Sequence, residues 1–118
     1  MRFANKYGFY ELNPFPGSNQ IVVSNHAFIY PEHRGQGRGK QQHLERLHKA
    51  REFGYDYILC TVNEKNDIEI HILRKYNWVK MTFFWSRETD HGVLLFGRNL
   101  VHVPELNSIV SPNVDYYG

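Results

Sequence analysis

One ten-residue stretch constrains this chain more than any other: Pro31-Glu32-His33-Arg34-Gly35-Gln36-Gly37-Arg38-Gly39-Lys40 carries glycine at three alternate positions. An apolar run, Ala27 to Tyr30, precedes it, and Gln41 to Phe53, which has neither glycine nor proline, follows at once. The pattern predicts a strand, a glycine-rich loop and a helix in succession. Within the helix, Leu44, Leu47, Ala50 and Phe53 recur every three residues, charged residues fill the rest, and Gly54 stands where a left-handed residue ends a helix. Such a loop turns consecutive N–H groups inward, and the helix adds the positive end of its dipole, so together they form an anion cradle. Glycine keeps Cβ atoms out of the anion's way, and Arg34, Arg38 and Lys40 put charge around the rim. The plain alternative is a mobile strand-to-helix connection. Two common phosphate loops are excluded: Gln41 follows Lys40 where GxxxxGK[ST] needs Ser or Thr, and Lys40 stands where GxGxxG needs glycine.

Upstream, Tyr7 to Tyr10, Ile21 to Val23 and Ala27 to Tyr30 read as short strands separated by Asn13-Pro14-Phe15-Pro16-Gly17-Ser18-Asn19 and by a bend or bulge at Ser24-Asn25. Downstream, Tyr57 to Val62 is a continuous apolar run, as in a central strand covered on both faces, and is expected to pair in parallel with Ala27 to Tyr30. Residues 66 to 77 fit strand and helix equally by periodicity. Val79 to Ser86 and Gly92 to Phe96 read as a hairpin, and Val101 to Gly118 as a polar tail.

The chain has 118 residues, 42% of them hydrophobic, enough for one packed domain over 1–118. Its net charge of +2 is too small to require a nucleic acid or an acidic membrane as partner. Cys60 is the sole cysteine, which excludes an internal disulfide and multi-cysteine zinc patterns and favours a reducing, cytoplasmic setting. No signal peptide is expected, and no stretch approaches the roughly 20 apolar residues of a membrane helix.

The loop residues Arg34, Gly37 and Gly39 resemble motif A of the GNAT superfamily of CoA-dependent N-acetyltransferases, an Arg or Gln followed by x-x-Gly-x-Gly/Ala. Ile29-Tyr30-Pro31 resembles the end of that family's fourth strand, Tyr57 to Val62 its fifth, and Asn66 to Val79 its motif B. The likeness covers roughly residues 26 to 100 and implies an α+β domain: a mixed, mostly antiparallel twisted sheet with a central parallel pair and flanking helices. It also implies that residues 66 to 76 are helical. The implied donor is acetyl-CoA, lying where the two parallel strands splay. Backbone groups of Phe28, Ile29 and Tyr30 would pair with the pantetheine arm, the amides of Arg34, Gly35, Gln36, Gly37, Arg38, Gly39 and Lys40 would hold the pyrophosphate, and Asn66 would touch the arm. The implied reaction is attack of an amine, from a small molecule or a protein, on the thioester.

Two features depart from the family pattern. Leu73 stands where the family's general-acid tyrosine is usual, which leaves Tyr76, one turn on, as the substitute or as a core aromatic. Only about thirty residues precede the glycine loop, where the family usually places two helices among its strands, so this is expected to be an N-terminally reduced member. His26, on the strand entering the loop, is the candidate base, with a surface strand histidine as the alternative. His43 and His48 are five apart and diverge on a helix, so no metal is expected. Cys60 reads as a core residue. Arg34, Arg38, Lys40, Arg46, Lys49 and Arg51 form a basic stretch, but with Glu45 and Glu52 among them they read as a solvated face rather than a nucleic-acid surface. The other outcome is a catalytically reduced GNAT fold that binds CoA or a protein partner without transfer. A homodimer would cover the sheet surface that a short N-terminal region leaves open.

Overall fold

The computed structural model describes residues 1–101, so the tail reading lies outside the described residues. Six strands form one sheet: β1 (Arg2–Asn5), β2 (Gly8–Pro14), β3 (Ile21–Ile29), β4 (Tyr57–Asn63), β5 (Val79–Ser86) and β6 (His91–Asn99), in the order β1-β2-β3-β4-β6-β5. The two helices are α1 (Arg38–Glu52) and α2 (Asp67–Lys75). Only β3 and β4 run parallel; the other neighbours are antiparallel. This is the mixed α+β architecture expected. Among the described residues, three strands and a single 3-10 turn at Pro31–His33 precede α1, with no α-helix among them.

The core sits on one face of the sheet. Ile58, Cys60 and Val62 of β4 pack there with Val22, Tyr10, Leu12 and Phe96 from neighbouring strands, under Leu47 and Ala50 of α1 and Leu73 of α2. The alternate β4 residues are half-buried at Tyr57 and Leu59 and exposed at Thr61. The expectation of a strand covered on both faces is therefore corrected. The apolar run follows from strand propensity, and only every second side chain meets a helix.

The α1 reading needs two corrections. The helix starts at Arg38, not Gln41, because Gly37 adopts a left-handed conformation (φ 78) and serves as its N-cap. Its buried face is Gln42, His43, Glu45, Arg46, Leu47 and Ala50, whereas Phe53 is 45% exposed. Arg46 and Glu45 are thus core groups and not part of a solvated face. Counting leucines missed this, because the face turned to the sheet is mostly polar.

The ambiguous segment is helical. Asn66 caps α2, its Oδ1 accepting from the Glu69 N–H at 3.2 Å, and Asn77 ends the turn after the helix at φ 67. Ile68, for which strand alternation would require a buried place, is 79% exposed. An N-cap of this kind contributes about 1 kcal/mol. Asn66→Ala is therefore expected to lower unfolding free energy by about that amount in urea titration, and Asn66→Asp to restore it.

Candidate active site

β3 and β4 pair over only three positions, Ile21↔Tyr57, Val22↔Ile58 and Val23↔Leu59, and then separate. A bulge accompanies the separation. Between the pairs Phe9↔Phe28 and Glu11↔Asn25, β3 carries one residue more than β2, and His26 takes the left-handed conformation (φ 52). A bulge bends the strand that contains it, here away from β4. The sequence signal at Ser24-Asn25 marked this bend within one or two residues. The two runs flanking it are one strand, and the expected parallel pairing is corrected: Ile21 to Val23, not Ala27 to Tyr30, pairs with β4, because the bend carries the later residues away from it.

The resulting notch is a cavity of about 320 Å3 between Ser24–Ala27 of β3 and Cys60–Asn63 of β4, with Arg46, Asn66 and Glu69 on its helical side. A second cavity, of about 580 Å3, lies along Ala27, Phe28 and Ile29 and under Arg34, Gly35 and Gly37 to Lys40, walled by Ile68 and Ile72 of α2. Ala27, Asn66 and Glu69 line both, so the two form one path from the glycine loop to the strand notch.

The loop end of this path is built to take an anion. Gly35 and Gly37 both have positive φ, and a Cβ on either would meet nothing within 4 Å. Gln41 N–H donates to Gly37 O, closing the first helical bond of α1. The amides of Arg38, Gly39 and Lys40 in the first turn have no intrahelical acceptor. The side chains around them are held from behind: the Arg38 guanidinium lies 3.7 Å from the Tyr7 ring centroid and donates to Gln41 Oε1, and Arg34 donates through Nε to Ile29 O at 2.8 Å while lying over the Phe28 ring.

Of the residues singled out from sequence, Phe28, Ile29, Arg34, Gly35, Gly37, Arg38, Gly39, Lys40 and Asn66 meet along the loop cavity, and His26 stands exposed at the notch. Tyr30 and Gln36 line neither cavity. Tyr30 N–H donates to Tyr7 O and its carbonyl accepts from His33, so its backbone is already paired. Tyr76 is remote too: its ring stacks on His43 at 5.1 Å, in the place of a core aromatic. Leu73 is fully buried beneath α2.

Sequence reasoning missed a charged cluster at the notch. Arg46, 4% exposed, donates to Ser24 Oγ (3.2 Å) and to Glu69 Oε1 (3.1 Å), and a third contact reaches His43 Nδ1 (3.3 Å). His43 has no exposed surface, and its Nε2 faces Trp78 Nε1 at 3.3 Å. Burial, reinforced by Arg46 and Arg98, holds the His43 pKa down to about 2. Burial likewise pushes the Cys60 thiol up to about 12, so this notch residue is no thiolate nucleophile. Glu45, also buried, has its carboxyl raised, chiefly by desolvation. Spacing holds a partial signal for the cluster: positions 42, 43, 46, 47 and 50 define one helical face once its polar members are admitted.

Among the described residues, no group of three or more His, Cys, Asp or Glu side chains could hold a metal ion, and no helix is long and apolar enough to cross a membrane.

No family model and no curated protein matches the sequence. Solved structures do match the fold. A GNAT family acetyltransferase from Elizabethkingia anophelis with acetyl-CoA bound superposes with a TM-score of 0.69 at 14% identity, over 79% of this chain and 68% of that one. Ard1 from Thermoplasma volcanium gives 0.70 at 17% identity, over 81% and 64%. The ribosomal-protein-S18-alanine N-acetyltransferase from Escherichia coli gives 0.69 at 10% identity, over 82% and 63%. The chain thus spans about two thirds of the length of these proteins. The six-stranded mixed sheet with its one parallel pair and the helices α1 and α2 therefore follow one known architecture: this chain has the GNAT acetyltransferase fold.

Proposed function

We propose that the protein transfers an acyl group from acetyl-CoA to an amine. The observation that carries this reading is the continuous path from the amides at the head of α1 to the notch between β3 and β4. A pyrophosphate at the amides of Gly35 to Lys40 places the pantetheine arm along Ala27 to Ile29, on the side of β3 that β4 has left. The thioester then lies at the bulge. His26, exposed there, takes one proton from the acceptor's ammonium group. The freed lone pair attacks the thioester carbonyl, the C–N bond forms as the C–S bond breaks, and the second nitrogen proton passes to the departing thiolate. Holding donor and amine together supplies much of the acceleration.

A second reading, CoA binding without transfer, is favoured by Leu73 and Tyr76: leucine has no proton to give, and the Tyr76 ring stacks on His43 away from both cavities, so neither protonates the thiolate. Two measurements separate the readings. Calorimetric titration with CoA and acetyl-CoA is expected to show micromolar binding, and thiol release from acetyl-CoA in the presence of a panel of amines is expected to exceed release without them. Binding without amine-dependent release supports the second reading, and no binding of either ligand removes both.

A further inference from the structure

The notch is roomy and yet polar where an acyl group would come to rest. Its volume of about 320 Å3 is roughly ten times the share of one water in the liquid, so size alone admits an acyl chain of several carbons. Chemistry does not. The floor carries the Ser24 hydroxyl, the neutral Cys60 thiol and the Arg46–Glu69 ion pair. The Glu69 side chain is 26% exposed, its Oε1 accepts from Arg46, and its second oxygen has no partner among the described residues. An alkyl chain entering this space displaces water from the partly exposed Glu69 carboxylate and returns no hydrogen bond, and desolvated charge is costly. Arg46 cannot swing aside to make an apolar channel, because Ser24 and Glu69 hold it across the notch and His43 backs it.

We propose that the Arg46–Glu69 pair is an acyl-length filter, which admits a two-carbon acyl thioester and rejects longer aliphatic ones by polarity rather than by size. The inference rests on the acyl-CoA reading above and names the donor class for it. In an apolar notch of this volume each added methylene gains about fourfold in affinity. Here that gain is absent and desolvation of the pair opposes it.

The test is calorimetric titration with CoA, acetyl-CoA, butyryl-CoA and hexanoyl-CoA, on the wild-type protein and on the double variant Arg46→Met/Glu69→Met. Removing both partners of a buried pair is tolerated far better than removing one. Wild type is expected to bind hexanoyl-CoA at least about tenfold more weakly than acetyl-CoA, and the double variant to prefer hexanoyl-CoA by at least about tenfold, within the ceiling of about 250-fold that four methylenes at about fourfold each would set. Circular dichroism checks that the variant is folded; if it is not, the wild-type series decides alone. Wild-type affinity that holds level or rises from acetyl to hexanoyl overturns the filter while the CoA site stands. Failure to bind CoA itself overturns the acyl-CoA reading, and the filter with it.

Discussion

Gly37→Trp is expected to reduce affinity for CoA and acetyl-CoA by at least about a hundredfold while the protein stays folded. Two facts about Gly37 lead there. Its φ of 78 lies in the left-handed region, and a Cβ built on it meets nothing within 4 Å. The added side chain has open space to occupy next to the amides of Arg38, Gly39 and Lys40, and its bulk there competes with the proposed pyrophosphate. A hydrogen bond from an amide to a charged group contributes about 1.5–3 kcal/mol, so losing two of them accounts for a hundredfold or more. Left-handed backbone in a residue with a Cβ also costs on the order of 1–2 kcal/mol of stability. Gly17 supplies the control for that cost. It has φ 79, open space around its Cβ position and a place in the turn between β2 and β3, at the other end of β3 from the loop. Gly17→Trp is expected to lower the melting temperature as much and to leave binding unchanged. Equal binding by Gly37→Trp and wild type in calorimetry would remove the loop from the site.

The parts of this architecture that were legible in the sequence are those where backbone chemistry dictates residue type. Glycine at 35 and 37 answers a positive φ in the loop, and Gly54 the left-handed residue that follows α1. Each of these requirements is local. The parts that were not legible depend on which face a residue turns to a distant partner. Arg46 among Lys49, Arg51 and two glutamates reads as surface, because a sequence window does not reveal that Ser24 lies 3.2 Å from its guanidinium or that Glu69 comes from the next helix to neutralise it. Tyr76 illustrates the same limit from the other side. One turn along a helix keeps a residue on roughly the same face, yet α2 ends at Lys75, and the chain then carries Tyr76 back over His43 and away from the notch.

The same buried cluster makes His43 an acid-sensitive point. Its ring lies between two groups that only donate, Arg46 at Nδ1 and the Trp78 indole at Nε2. A neutral imidazole has one acceptor nitrogen and can satisfy one of them; a protonated ring has none and satisfies neither. Burial adds the cost of an unpaired charge beside Arg46 and Arg98, and the folded-state pKa falls to about 2. In the unfolded chain the ring titrates near its ordinary value of about 6.5. Between these two values the unfolded state binds a proton that the folded state does not. The stability contribution is therefore complete above about pH 6.5 and is lost as pH falls, at about 1.4 kcal/mol per unit. From pH 6.5 to 5 that amounts to about 2 kcal/mol, a large fraction of a typical margin of about 5–15 kcal/mol. His43→Gln keeps an acceptor for Arg46 or Trp78 and removes the titration. Urea unfolding of both proteins at pH 6.5 and pH 5 is expected to show wild type losing about 2 kcal/mol more than the variant across that interval. Parallel losses would mean that His43 is not the titrating group. Because His43 is one of the groups that hold Arg46 across the notch, the histidine that sets acid stability also fixes the charge on which the acyl filter depends.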